Sequence, residues 1–136
     1  IGAAPGLNKN KTSGNNHLNT SAALVRQSIH EMEIFVEFLK GKKETVNGLA
    51  GLGDLYVSSA GGRNSKMGAF IGEGIVFSKA KKNKMPKETV EGADLIFEIG
   101  NKIKEDFDHK KIPLMTAMIN AILEDKKLDI KWEHFN

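Results

Sequence analysis

The sequence predicts an all-α domain, a compact set of helices joined by short connectors, and three observations predict it. Apolar residues recur at helical spacing in three long stretches: Val25, Ile29, Met32, Val36 and Leu39; then Leu95, Ile96, Ile99, Ile103 and Phe107; then Leu114, Met115, Met118, Ile119 and Ile122. Gly41, Pro86 and Pro113 fall at the ends of these stretches and not inside them. There is no internal repeat to suggest a solenoid or array.

Length and composition set the limits. A chain of 136 residues is one domain's worth, enough to bury about two-thirds of its unfolded surface without a metal or disulfide. It has no cysteine, so thiolate chemistry is excluded and a cytoplasmic setting is expected. Lys and Arg number 20 against 17 Asp and Glu, a net of +3 spread along the chain, which does not suggest a nucleic-acid partner. No stretch approaches the ~20 apolar residues of a membrane span. The four histidines, His17, His30, His109 and His134, lack metal-ligand spacing, so no metal site is expected.

In chain order, Ile1 to Leu7 reads as the tail of a helix that Pro5 and Gly6 terminate. Asn8 to Asn19 is polar and aperiodic, an exposed loop. Asn19 or Thr20 then caps the first long helix, which sends Arg26, Glu31, Glu33 and Glu37 away from its apolar stripe and ends at Gly41. Lys43 or Glu44 starts a shorter piece that carries Val46 and Leu49 into a glycine-rich stretch. Tyr56 and Val57 favour strand by propensity, but Leu52, Leu55 and Ser59 keep helical spacing, and helix is preferred. Asn64 to Gly72 presents Met67, Phe70 and Ile71. A loop follows in which Lys79, Lys81, Lys82 and Lys84 form a solvated run. The next helix begins near Thr89 or Val90, and the last long one at Pro113. Trp132 and Phe135 dock a short terminal helix.

One stretch carries chemistry. Residues 48 to 64, GLAGLGDLYVSSAGGRN, bring glycines, a carboxylate and a guanidinium together. Leu49, Leu52 and Leu55 are expected to hold the glycine backbone in a core and to set Asp54 in apolar surroundings, where it needs a cationic or hydrogen-bonding partner. Arg63 and Asn64 follow Gly61 and Gly62, so a planar fork and accessible backbone N–H groups can meet one anion. Each piece also has a bland reading: a turn, a helix-capping Asp, a surface Arg.

The pattern GLAGLGDL, with GGRN following nine residues after the Asp, resembles the substrate-domain signature of the NAD(P)-dependent glycerol-3-phosphate dehydrogenases. The resemblance runs from about Asn19 to Ile122, through Asn-Thr-Ser-Ala-Ala-Leu at 19 to 24, Val-Glu-Gly at 90 to 92 and Ile-Pro-Leu at 112 to 114. It implies a fold like the helical C-terminal domain of 6-phosphogluconate dehydrogenase-like two-domain dehydrogenases. It also implies interconversion of sn-glycerol 3-phosphate and dihydroxyacetone phosphate with NAD or NADP. By the same resemblance Asp54 and Ser58 are catalytic, and Asp54, Gly62, Arg63 and Asn64 bind substrate. Arg63, Thr89 and Glu91 lie against the cofactor.

The chain departs from the family in places. Ser21 stands where relatives have Lys, Ser58 where many have Thr, and the loop after Pro5 is longer. The strand, GxGxxG and helix order of a dinucleotide-binding unit is missing, as is the Leu-Lys-Asn lysine that takes the substrate proton in the family. The chain, opening on an apolar run at Ile1, is therefore expected to be part of a longer polypeptide with its dinucleotide domain upstream, inactive alone and homodimeric as a whole. The competing expectations are a noncatalytic helical interaction module, or the substrate domain of a related hydroxy-acid dehydrogenase.

Overall fold

A computed structural model describes residues 1–8 and 16–136, with only the backbone of Asn16. The described residues form helices and connectors: α1 (Ala4–Leu7), α2 (Asn16–Phe38), α3 (Lys43–Val46), a π-helical turn at Leu49–Gly53, α4 (Asp54–Ala60), α5 (Arg63–Gly72), α6 (Phe77–Lys84), α7 (Glu91–Asp106), α8 (Pro113–Leu123) and a 3-10 turn at Trp132–His134. The all-α expectation holds, and Tyr56 and Val57 lie in a helix. Among the described residues, no helix is long and apolar enough to cross a membrane.

Helix α8 is the centre. It is apolar nearly all round, burying Pro113, Ala117, Ile119, Ala121 and Ile122, and it packs on α2, α6 and α7. Three clusters surround it. Met67, Ile71, Ala80, Met85 and Val90 meet Ala121 and Ile122 on one side. Leu24 and Ala4 meet Ala117 and Ile130 on another. Ile103 and Ile112 enclose Ile119 on the third, where Phe35 stacks on Phe107.

Several expectations are corrected. Pro5 lies in the first turn of α1 and does not end it, which suits a residue with no N–H to place in a helix. The polar stretch from Asn8 yields to helix already at Asn16, so Asn19 and Thr20 lie within α2; residues 9–15 of the expected loop lie outside the described residues. The Thr20 hydroxyl instead accepts the Asn8 side-chain amide at 2.7 Å.

Helix α2 ends three residues before Gly41. The left-handed residue at its end is Lys40, with φ of 61°. The Lys40 N–H donates to the Glu37 carbonyl and the Gly41 N–H to the Val36 carbonyl, each at 2.8 Å, the paired bonds of a Schellman end. The lysine-rich loop is in fact α6. Lys79, Lys82 and Lys84 are solvated as expected, while Lys81 donates to the Met85 carbonyl at 3.0 Å. On α7, Leu95 faces water, and Ala93 and Gly100 take the interior positions instead. Phe135 packs on a core cluster, but Trp132 stays exposed.

The buried face of α2 is rotated from the expected stripe. Leu24, not Val25, is the most buried apolar residue of the helix, and Gln27 and Glu31 share its face. Glu31 was expected to point away and is only 2 % exposed. Its carboxylate stands at the start of α8, where free N–H groups and the helix dipole favour an anion. Leu114 N–H donates to Oε1 and Met115 N–H to Oε2, both at 2.7 Å. Gln27 Nε2 adds a third bond, at 2.8 Å.

Two other helices are capped in the same way, across the fold. Asp125, just after α8, takes the Ser78 N–H at 2.8 Å and so caps α6. Asn64 of α5 takes the Gly92 N–H at 3.0 Å and so caps α7.

Candidate functional site

The glycine-rich stretch builds its geometry from one close approach and one turn. After α3 the chain folds back so tightly that a side chain at Gly51 would overlap the Val46 backbone, 2.6 Å from its Cα. This contact sets the π-helical turn and aims α4. At the far end of α4, Gly62 has φ of 101°, a conformation that side chains resist, and it turns the backbone into α5. Arg63 and Asn64 therefore sit in the first turn of α5.

The expected surroundings of Asp54 are not found. Leu49 is 91 % exposed and Leu52 is also exposed, because the π-helical turn lies on the surface with Gly51, not the leucines, against the core. Asp54 is exposed too, and among the described residues nothing hydrogen-bonds or ion-pairs with its side chain. Leu49, Leu52, Tyr56 and Val57 leave an apolar strip open to water beside it.

Of the remaining candidates, Ser58, Gly62, Arg63 and Asn64 line two adjoining hollows, and Thr89 and Glu91 line neither. The first, about 370 Å³ in volume, is lined by Ser58, Asn64, Leu55, Glu31, Met115 and Met118. The second is lined by Gly62, Arg63, Lys66, Gly61, Ser59 and Glu88. Ser59 and Ser65 belong to both. Asp54 lines neither.

Cations and carboxylates pair at and beside the second hollow. Arg63 pairs with Glu91, the first residue of α7, and not with Asp54. Lys66, one turn along α5, pairs with Glu88 at 2.7 Å. Both pairs are substantially exposed, so each contributes little to stability and is readily exchanged for another anion. The Asn64 amide is oriented by the Gly92 N–H, which fixes its oxygen and leaves Nδ2 free to donate. Thr89 is exposed on the connector between Glu88 and Glu91.

Glu31 and Lys66 belong to this region but were not singled out from the sequence. Burial pushes the Glu31 carboxyl above its ordinary 4.5, against the downward pull of bonds from Gln27, Met115 and Leu114. The signal was there: Gln27 and Glu31 are four apart and in line with Leu24, a polar pair on an apolar face. Among the described residues, no group of three or more His, Cys, Asp or Glu side chains gathers as metal ligands would.

The family model described as NAD-dependent glycerol-3-phosphate dehydrogenase C-terminus matches residues 2–132. A glycerol-3-phosphate dehydrogenase [NAD(P)+] of Chlamydia pneumoniae is 34 % identical over 134 residues, covering 96 % of this chain and 37 % of the relative. One from Onion yellows phytoplasma is 33 % identical over 115 residues, 82 % of this chain and 33 % of the relative. An NADP(+)-dependent glycerol-3-phosphate dehydrogenase of Archaeoglobus fulgidus is 32 % identical over 116 residues, with the same coverage. The chain thus spans about a third of the length of the curated relatives it matches.

Proposed function

Because the chain belongs to the family of NAD-dependent glycerol-3-phosphate dehydrogenase C-terminal domains, we propose that it is the helical substrate domain of an oxidoreductase interconverting sn-glycerol 3-phosphate and dihydroxyacetone phosphate with NAD or NADP. The observation that carries this reading is the junction of two hollows. Arg63 and Lys66 line one, Ser58 and Asn64 the other, and Ser59 and Ser65 are common to both.

A phosphorylated three-carbon alcohol needs a cationic end and a hydroxyl-bearing end. In this reading Arg63 presents two parallel N–H groups to the phosphate, and its bond to Glu91 is exchanged for one to the substrate. Asn64 Nδ2 donates to the same phosphate while its oxygen stays on Gly92. The Ser58 hydroxyl orients the reacting hydroxyl, Asp54, outside both hollows, orients the upstream lysine that takes the proton, and Gly62 lets the backbone approach the phosphate closely.

The nicotinamide supplies the hydride acceptor. Thr89, Glu91 and Arg63 would hold the dinucleotide, and their exposure along one rim fits them for it. The lysine that takes the proton and the dinucleotide-binding domain belong to an upstream part of the polypeptide, and this chain by itself turns nothing over. The reading includes a homodimer in the cytoplasm; the open strip of Leu49, Leu52, Tyr56 and Val57 supports a further protein surface against this one.

The test is a steady-state assay of the polypeptide joined to its dinucleotide domain, with glycerol 3-phosphate and either NAD or NADP. Arg63→Ala should raise KM for glycerol 3-phosphate by roughly 10- to 150-fold, the loss of one charge-assisted contact. An unchanged KM would remove Arg63 from the substrate site.

A further inference from the structure

A third hollow, of about 470 Å³, lies between α7, α8 and the segment that follows α8. It shares no lining residue with the two hollows at Arg63. Its floor is apolar, from Phe107 and Ala117. Its rim is basic: Lys104, Lys126, Lys127 and Lys131, with His109 and His134. Glu124 and Asp129 are the acidic residues facing them, so the lining carries an excess of two positive charges with both histidines neutral.

The acceptors present are already taken. Glu124 receives Lys104 on Oε1 at 2.8 Å and Lys126 on Oε2 at 2.6 Å, and these two ammonium groups draw its carboxyl down to about 2. Asp129 receives Lys131 at 2.7 Å. Among the described residues Lys127 has no partner, and His134 Nδ1 is buried with none. Asn120 gives its oxygen to Lys104, which turns its amide N–H groups the other way. A positive cleft with an unpaired ammonium and free amide donors lacks an acceptor.

We propose that this cleft binds a small multivalent oxyanion, a diphosphate or polycarboxylate, at a site separate from Arg63. Multivalence is required because, among the described residues, Lys127 is the one rim lysine without a partner. An anion must span from it to Lys104 or Lys131 to offset the bonds those lysines already make. The apolar floor accommodates the carbon body of such a ligand.

The experiment is an amide NMR titration of the chain with sodium pyrophosphate, and separately with citrate, at fixed ionic strength set by sodium chloride. Saturable shifts at Thr116, Lys127 and Lys131, with a dissociation constant of millimolar or below, are expected. Lys127→Glu should weaken binding at least tenfold, and Lys104→Gln should weaken it independently. Arg63→Ala should leave these shifts unchanged, so this proposal and the substrate reading fail separately. Preference for pyrophosphate identifies a phosphorylated ligand and preference for citrate a carboxylate one. Shifts that stay linear, or a constant unaltered in both lysine variants, would overturn the proposal.

Discussion

The carboxylate of Glu31 accepts the backbone N–H of Leu114 at 2.7 Å across 83 residues of chain. A buried acid thus joins the middle of α2 to the first turn of α8. Glu31→Gln puts an NH₂ where a donor already points, and at pH 7 should lower stability by about 1–3 kcal/mol.

Its pH dependence has a definite sign. The folded-state pKa of Glu31 is raised, so the folded protein binds its proton more tightly, and the stability this provides is present below 4.5 and lost as pH rises through the folded value. The stability gap between the parent and Glu31→Gln should therefore widen from pH 7 to pH 4, read by urea denaturation at each pH. Glu124, held near 2, works the other way: its contribution is present above 4.5 and lost as pH falls toward 2. A gap that narrowed on acidification would contradict the assignment of burial as the dominant influence on Glu31.

Two glycines three residues apart should respond oppositely to alanine. At Gly51 the added methyl collides with Val46 backbone, which cannot swing away, and the change should cost about 1–3 kcal/mol or more. At Gly48 the nearest atom would be the Thr45 carbonyl oxygen at an ordinary 3.5 Å, and φ is −91°. Gly48→Ala should stabilise by about 0.4–1 kcal/mol by restricting the unfolded chain. Equal effects in thermal denaturation would mean that the π-helical turn is not held as described.

Lys40 occupies a left-handed conformation that glycine adopts without strain. Lys40→Gly should gain about 0.5–1 kcal/mol, visible as a rise of a few degrees in Tm. A fall in Tm would show that the lysine side chain stabilises the helix end more than its backbone strains it.

Asn64 separates folding from binding. Asn64→Asp keeps an oxygen for the Gly92 N–H, so Tm should change little. It also replaces the free Nδ2 donor with negative charge. In the polypeptide joined to its dinucleotide domain, KM for glycerol 3-phosphate should then rise at least tenfold. Asn64→Ala should lower both stability and affinity. If Asn64→Asp kept a parental KM, the amide would have no role toward phosphate.

The helices were legible in the sequence because periodicity is local: α5, α7 and α8 begin within about two residues of where spacing, proline and glycine place them. The helix-end partners were not. Local capping rules look one to three residues away, whereas α6, α7 and α8 take their caps from Asp125, Asn64 and Glu31, 47, 28 and 83 residues distant. The face of α2 was misread for the same reason. A stripe anchored on Val25 in place of Leu24 is turned by about 100°, enough to send Glu31 to the surface. At the candidate site, spacing brought out Arg63, Asn64 and Gly62, but nothing in GLAGLGDL distinguishes leucines that enter a core from leucines that only flank a close backbone approach.

The three distant caps have a further consequence. Each of α6, α7 and α8 has its leading amides secured by a residue anchored elsewhere, so fraying any of them breaks a tertiary bond as well as local ones. Native-state hydrogen exchange should therefore find the leading amides of these three helices opening through larger, sub-global unfolding and not through local fraying.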